Sequence, residues 1–376
     1  MPDKLRIHFL SQNRTAKMGM GWYERLLLEH LLNEQDSLAS GIQGRITFDG
    51  RAPKKSLSES GSDSKLVEMN YLGFSTARLA HVPWALVKPL MTLLLPKDAS
   101  LYHSLALSFP APMSVPAVYT IHDLPPAHFS DEGYLPSWSK SAANQAEAIV
   151  TPSEFGKREI IEHLNVNPER VHVVPNGCEH DLFNTSVVPM TAKELDAQGV
   201  PVNFIFYAGG STRRKNVLAL LEAWASISSD YPDLHLVLAG PAEGLKALSV
   251  KSGAPRVVVL GYVEHQLMPR IMKAAKAFVF PSIYEGFGLP PMEAMALGVP
   301  TIGTLAGGAV PEVIGDAGIL AEDGSAKALA EAIKRLLDDP QLSEQLRHSG
   351  PHRVRNLPSW AEHAKNVVSV YKSILS

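Results

Sequence analysis

The sequence predicts an α/β protein built from two doubly wound, Rossmann-like domains. Three observations carry that prediction. Segments rich in Val, Ile and Phe alternate with segments of helical periodicity, the pattern of a parallel sheet covered on both faces. The alternation lapses near residue 181 and restarts near residue 203. At 376 residues the chain also exceeds what one ordinary core accommodates.

In the first half, LRIHFLS (5–11) reads as a strand. GMGWYERLLLEHLL (19–32) follows as a helix, with Trp22, Leu26, Leu27, His30 and Leu31 at helical spacing. PAVYTIHDL (116–124) and EAIVTPS (147–153) read as buried strands. SEFGKREIIEHL (153–164) reads as a helix with Ser153 as N-cap, and RVHVVPNG (170–177) closes the half. The stretch 181–201 has no clean period and is the candidate linker. NFIFYAGG (203–210) is then a strand ending in glycines, followed by the helix KNVLALLEAWASI (215–227). LHLVLAG (234–240), RVVVLGYV (256–263), AFVFPS (277–282) and VPTIGT (299–304) are further strands, and the tail beyond 325 is helical. There is no internal repeat, and the most polar stretch, 49–65, reads as a mobile loop.

Bulk properties narrow the function classes. Hydrophobic content of 45% and charged content of 19% suit a globular enzyme. A net charge of −3 gives no support for a nucleic-acid partner. The single cysteine, Cys178, excludes an intrachain disulfide framework, reads as a small buried residue and points to a reducing, cytoplasmic setting. The N-terminal apolar run, broken by Arg6 and His8, does not read as a signal peptide. No apolar stretch reaches the ~18 residues of a spanning helix. Residues 82–97, interrupted by Lys88, Pro89 and Pro96, read as a core or loop helix. The same stretch can lie on the inner face of a membrane, with Lys88 and Lys97 toward the headgroups.

The chemistry concentrates in residues 209–312. In open parallel sheets ligands bind outside the carboxyl ends of the strands. AFVFPS is such a strand, IYEGFGL its loop and PPMEAMAL the helix that follows, with Pro290 and Pro291 suited to the first helical turn. Glycines allow a ligand close to the backbone, and free amides at a helix start favour an anion such as phosphate. Glu285 in the loop and Glu293 in the helix, separated by seven residues, are acceptors suited to sugar and ribose hydroxyls. On spacing alone, helix capping and a solvated face account for them equally well. YAGGSTRRKN (207–216) adds a second strand, glycine loop and helix start, carrying Arg213, Arg214 and Lys215. Singly each is an ordinary surface cation; together, a guanidinium fork and a point charge suit a diphosphate. Two such loops in one domain point to a nucleoside diphosphate sugar.

These residues bring the chain to a family. Residues 203–320 resemble the nucleotide-binding half of glycosyltransferase family 4, the retaining enzymes of GT-B fold. The matching pieces are RKN (214–216), GYVEHQLMPRIMKAAKAFVFPSIYEGFGLPPMEAMALGVPTI (261–302) and PEVIGDAGIL (311–320). The glutamate pair matches the family's two-glutamate motif in spacing and surroundings. Weaker matches are GMG (19–21), HD (122–123), TPSEFGK (151–157) and VPNG (174–177), so the resemblance spans nearly the whole chain.

The resemblance implies a GT-B architecture: two doubly wound domains facing a cleft, with the last helix crossing back to the N-terminal domain. An acceptor domain would span 1–190 plus 357–376, and a nucleotide-sugar domain 200–356. Arg214 and Lys215 would bind the donor diphosphate, Glu293 the ribose and Glu285 the transferred sugar. Amides of Gly286, Phe287, Gly288 and Leu289 would contact sugar and phosphate, and Tyr262 and Val263 would lie beside the base. Gly19 and Gly21 would approach the phosphates, and His122 the reacting sugar. Many members carry a further arginine just after the strand, where this chain has Gly209 and Gly210 and where Arg213 would compensate. LAGGAVPEV (305–313) departs from the serine-rich reading common in mannose-transferring relatives.

The implied reaction is transfer of a hexose, GDP-mannose favoured as donor, with retention by front-face attack. The acceptor would be a glycan, a lipid-linked saccharide or a small molecule. No D-x-D motif is present, EHD (179–181) being the nearest pattern, so no metal ligand is assigned and no metal or other cofactor is expected. UDP- or dTDP-sugars are the alternative donors, and a nucleotide-sugar hydrolase or epimerase is the alternative reaction. A dinucleotide-dependent oxidoreductase is disfavoured because no G-x-G-x-x-G follows the first strand. A silent sugar-binding module is disfavoured by retention of both glutamates, Arg214, Lys215 and His122.

Overall fold

A computed structural model describes residues 5–12, 19–32, 42–50, 67–112 and 114–376. The chain divides into two compact units, Met1–Pro175 with Trp360–Ser376, and Asn176–Ser359.

Unit one is a seven-stranded parallel sheet. Its strands are β1 (Leu5–Ser11), β2 (Ile42–Phe48), β3 (Val67–Tyr71), β4 (Leu101–Ser104), β5 (Ala117–Thr120), β6 (Ala148–Thr151) and β7 (Val171–Val173). They run in the order β3-β2-β1-β4-β5-β6-β7. The helices are α1 (Gly19–Leu32), α2 (Trp84–Leu94), α3 (Ser139–Gln145) and α4 (Glu154–Leu164), joined by the last helix of the chain, α13 (Trp360–Leu375). α13 rests on α1 and β6.

The predicted β1, α1 and α4 are present, and the Ser153 hydroxyl accepts from Gly156 N as the N-cap of α4. The segment 116–124 is shorter as a strand than its apolar run suggests: β5 ends at Thr120, and residues 121–124 leave the sheet, carrying His122. Three strands, β2, β3 and β4, fall where the alternation predicts none. β2 is interrupted by Gln43, Gly44 and Arg45, and β3 and β4 are only five and four residues long. Of the polar stretch 49–65, all but Asp49 and Gly50 lies outside the described residues.

Unit two is a six-stranded parallel sheet in the order β10-β9-β8-β11-β12-β13. The strands are β8 (Phe204–Ala208), β9 (His235–Ala239), β10 (Val257–Gly261), β11 (Ala277–Val279), β12 (Thr301–Thr304) and β13 (Ile319–Ala321). Its helices are α5 (Ala192–Ala197), α6 (Val217–Ile227), α7 (Ala242–Ser252), α8 (Met268–Ala274), α9 (Leu289–Ala296), α10 (Val310–Ile314), α11 (Ala326–Asp338) and α12 (Pro340–Arg355). The aperiodic stretch 181–201 thus contains a short helix, α5. It is held by a capping box between Thr191 and Glu194 and by Arg270 on the Glu194 carboxylate, rather than by an apolar stripe. The core is Phe204, Phe206, Phe278 and Phe280 on adjacent strands, with Trp224, Met292 and Met295 from the helices.

Both sheets reverse direction of winding at one place, β1/β4 in unit one and β8/β11 in unit two. Loops leaving the carboxyl ends of two adjacent strands diverge there to opposite faces, opening a crevice for a ligand.

Candidate active site

At the switch point of unit two, the β8 and β11 loops carry the two motifs singled out in the sequence. Strand adjacency brings together residues some seventy positions apart. Lys215 Nζ donates to Glu285 Oε1 at 2.7 Å, and Arg214 donates to Glu285 Oε2 at 3.0 Å and to the Tyr284 carbonyl at 3.2 Å. Ile283 N donates to the Arg214 carbonyl at 2.9 Å, clamping one loop to the other. Asn216, in the left-handed region at φ 54°, donates its amide to Pro281 O and Gly324 O. The turn of Arg213–Lys215 is thereby held against the ends of β11 and β13.

The Glu285 side chain is 11% exposed, and those of Arg214 and Lys215 are 16% exposed each. Burial would push the Glu285 carboxyl up, but Lys215 first and Arg214 second hold it below the ordinary glutamate value. It is therefore ionised. Two cations on one carboxylate leave an excess of one positive charge, largely removed from water, which an anionic ligand can neutralise. The start of α9 lies next in sequence. Gly288 caps it at φ 129°, a conformation open to glycine, and Pro290 and Pro291 occupy its first turn. Amides of the Gly286–Leu289 segment supply further donors for an anion. On the other side, Ala309 N donates to the Glu285 carbonyl at 2.9 Å, so the GGAV segment before α10 buttresses the loop.

Glu293 sits one turn into α9 in different company. Burial pushes its carboxyl up to about 7; the nearby Glu179 adds to the rise and His265 opposes it. Glu179 and His265 are themselves paired at 3.1 Å. Burial, with Glu293 and Glu179 near it, also raises the thiol of the buried Cys178. Sequence reasoning missed Glu179 and His265. A carboxylate within the apolar run PPMEAMAL was the available signal that Glu293 would need partners from elsewhere.

The remaining predicted residues occupy the same edge of their sheets. Gly209 lies where a Cβ would collide with the Tyr207 hydroxyl, which donates to Gly210 O at 2.6 Å, so the loop after β8 cannot carry a side chain there without rearranging. Arg213 is exposed on the cationic turn, and Tyr262, 51% exposed, and Val263 follow β10. In unit one, Gly19 and Gly21 begin α1 after β1. His122 follows β5 and stacks edge-on against Tyr23, ring centroids 4.2 Å apart. Unit one also holds a cavity of about 270 Å³ at the carboxyl ends of its strands, lined among others by Gln12, Asp49, Thr76, Ser108 and Tyr134. Ala77, Ala80 and Pro136 complete the lining, so hydroxyl, amide, carboxylate and phenol groups sit among apolar ones, without a lysine or arginine among the described residues.

Comparison with known proteins bears on the family and the fold. Residues 195–353 match the family of glycosyl transferases group 1, and residues 66–182 match Glycosyltransferase Family 4. The O-antigen chain mannosyltransferase B of Escherichia coli is 30% identical over 272 residues, 68% of this chain and 70% of that protein. Sucrose-phosphate synthase from Thermosynechococcus elongatus superposes over 99% of each chain, with TM-score 0.76 and 21% identity. Anabaena HepE, solved in complex with UDP, superposes over 98% of this chain and 100% of its own, with TM-score 0.74 and 20% identity. At such identities the two structures bear on the fold alone.

Proposed function

The chain belongs to the family 4, group 1 glycosyltransferases and has their GT-B fold, and on that premise we propose that it moves a hexose from a nucleoside diphosphate sugar, GDP-mannose foremost, to a sugar hydroxyl. The observation that carries the reading is the buried Glu285–Arg214–Lys215 cluster at the switch point, one carboxylate under two cations. The diphosphate takes the place of the Glu285 oxygens as partner of Arg214 and Lys215, and the freed carboxylate accepts from hydroxyls of the sugar. Glu293 accepts from the ribose, and Tyr262 and Val263 flank the base.

In the reaction the bond from the anomeric carbon to the diphosphate oxygen breaks. Arg214, Lys215 and the amides at α9 stabilise the charge that develops on the leaving group, the site being built before the charge appears. The acceptor oxygen bonds to the anomeric carbon from the same face, and its proton passes to a diphosphate oxygen, giving retention. The two fixed cations supply what a divalent ion otherwise would, so the transfer proceeds without metal. The hydroxyl, amide and carboxylate groups that Thr76, Ser108, Tyr134, Gln12 and Asp49 bring to the cavity of unit one suit an acceptor recognised through hydroxyls, a glycan or the saccharide of a glycolipid. The similarity to the Escherichia coli mannosyltransferase favours a mannose donor, GDP-mannose foremost, and a UDP- or dTDP-sugar is the second reading.

The test is a panel of GDP-, UDP- and dTDP-sugars in excess chelator, read by thermal stability and by product formation. A ligand at about 100 times its Kd adds roughly 2.7 kcal/mol to the folded state. GDP-mannose is expected to give the largest shift and turnover, and Lys215→Ala to abolish both. Equal shifts from all three nucleotides, or strict loss of turnover in chelator, refute the donor or the metal-free transfer respectively.

Peripheral membrane contact is part of the proposal. No helix of the described residues is long and apolar enough to cross a membrane. α2, however, turns Leu86, Leu90, Leu93 and Leu94 outward, 63%, 36%, 75% and 43% exposed, while Val87 and Met91 face the core. Such a face beside Lys88 and Lys97 suits the surface of an anionic bilayer. Leu86→Ser with Leu93→Ser is expected to weaken binding to phosphatidylglycerol vesicles by about tenfold, near 0.7 kcal/mol per leucine. Unchanged flotation of that variant would remove the membrane contact.

A further inference from the structure

Unit one contains a cluster that the transfer reaction does not use. His128 Nε2 lies 2.5 Å from Glu159 Oε2, and His163 Nε2 lies 3.7 Å from Glu159 Oε1. All three ligand atoms fall within 4.8 Å of one another. We propose that His128, Glu159 and His163 form a binding site for a divalent transition-metal ion, zinc foremost, that braces the segment carrying His122.

The donor set is the first argument. Two imidazoles and a carboxylate are ligands that zinc accepts, leaving a fourth position for water. Glu159 and His163 stand four residues apart on α4, which puts both side chains on one helix face. His128 comes from outside the helix, just beyond the turn Pro125–Ala127, with its amide bonded to Pro125 O at 3.0 Å. The two imidazoles meet edge to face at 90° with ring centroids 4.9 Å apart rather than stacking, and a ligand nitrogen of each lies within 4.8 Å of the other. Ligands at about 2.1 Å from a tetrahedral ion stand about 3.4 Å from each other. The observed separations bracket that spacing, and ring rotations reach it without moving the helix.

Burial is the second argument. The Glu159 side chain is 11% exposed, whereas the two histidine side chains are 33% and 29% exposed. The carboxylate is thus fixed from below and the imidazoles close over it from the solvent side, which gives an ion a route of entry. A comparable i, i+4 Glu344–His348 pair on α12 is 65% and 80% exposed and has no third ligand among the described residues.

The site has a structural consequence. The segment from Ile121 to Phe129 leaves the end of β5 and passes beside α4, which it approaches at His122 and at His128. A Cβ on Gly156, in the first turn of α4, would stand 3.5 Å from the His122 carbonyl, and His128 reaches Glu159 one turn further on. An ion at the second contact ties the whole segment down. It belongs to unit one and shares no residue with the cationic cluster of unit two, so its role is positional and leaves the metal-free transfer intact.

The experiment titrates the full chain with zinc chloride against a chromophoric chelator, with thermal unfolding in zinc and in chelator as a second readout. One equivalent is expected to bind with Kd about 1 µM or tighter. His128→Ala and His163→Ala should each weaken it by about tenfold or more, and His348→Ala should leave it unchanged. The thermal midpoint should rise with zinc in the parent chain and not in His163→Ala. Should the alanine variants fold poorly, cobalt in the parent chain decides: a tetrahedral visible band displaced by one equivalent of zinc supports the site. Binding weaker than about 100 µM, equal affinity in all variants, or an octahedral cobalt spectrum overturns it.

Discussion

The two units share a winding order up to the sixth strand, yet they place polar groups in opposite ways. Unit one threads hydrogen bonds through its interior. His103 bonds Tyr371 Oη at 2.5 Å and Thr120 Oγ1 at 2.8 Å, and Tyr23 Oη shares Thr120 Oγ1 at 3.3 Å. His363 lies 2.8 Å from Pro175 O and 3.4 Å from Tyr23 Oη. That network joins α13 to α1, β4 and β5 within the unit. Unit two has an apolar interior and keeps its buried charges at the strand ends. The same topology therefore spreads buried polarity through the interior of one unit and gathers buried charge at the strand ends of the other, where open sheets of this kind bind ligands.

The largest effect that would break this comparison lies in unit two. Glu285→Ala should cost roughly 10²-fold or more in kcat/KM, because the sugar loses its acceptor while Arg214 and Lys215 lose their apo partner. Hydrogen exchange of unit one should be unchanged in that variant. Near-normal transfer by a folded Glu285→Ala protein would reduce the cluster to a structural ion pair.

The next effect belongs to unit one and reads out in pH. Burial first, and the neighbouring imidazoles after it, lower His103 to about 3; burial also lowers His363 to about 4. His8, bonded to Thr47, is lowered to about 4 by burial and then by Arg45. Histidines with depressed folded values contribute stability that is full above about 6.5 and lost as pH falls, since the unfolded chain takes up protons that the folded one refuses. Between pH 6.5 and 4.5 each should cost unit one roughly 2–3 kcal/mol. Hydrogen exchange at β4, β5 and α13 measures it, and His103→Gln should flatten the slope. An acid profile identical in both proteins would show that the network is not what makes unit one acid-sensitive.

How much of this was readable in the sequence divides along the same line. Five of the six strands of unit two were legible because each is a run dominated by apolar residues, as in NFIFYA and LHLVLA, whereas β13, three residues long, was not. β2 was not, because Gln43, Gly44 and Arg45 interrupt it and its identity depends on pairing with β1 and β3. α5 was hidden because a capping box, not an apolar period, defines it. At the site, the residue types and their loops were visible, since glycine, proline and charge at a strand end carry local meaning. The pairing of Glu285 with Arg214 and Lys215 was not, because it depends on β8 and β11 being neighbours. The environment of Glu293 was less visible still: Glu179 and His265 come from two distant loops, and EHD had drawn attention only as a metal pattern.

That environment supports the smallest prediction, and it runs opposite in sign to unit one. Burial foremost, with Glu179 assisting and His265 opposing, raises the Glu293 carboxyl to about 7. The folded state therefore holds a proton that the unfolded chain releases near its ordinary value of 4.5, and the stability of unit two declines as pH rises from 4.5 to 7. Ribose hydroxyls, by contrast, are donors and call for the ionised carboxylate. Donor binding then expels the proton, and affinity should climb as pH rises through 7, approaching tenfold per unit below that value. Glu293→Gln keeps the size of the side chain and removes the titration, so its affinity should be lower at pH 8 and flat with pH. Glu179→Gln removes a like charge, which should let Glu293 ionise earlier and move the rise to lower pH. Calorimetry of GDP binding from pH 5.5 to 8.5 on the three proteins separates these outcomes. A parent profile with no rise through 7, or the same rise in Glu293→Gln, would take the ribose from Glu293 and leave that carboxylate to the core of α9.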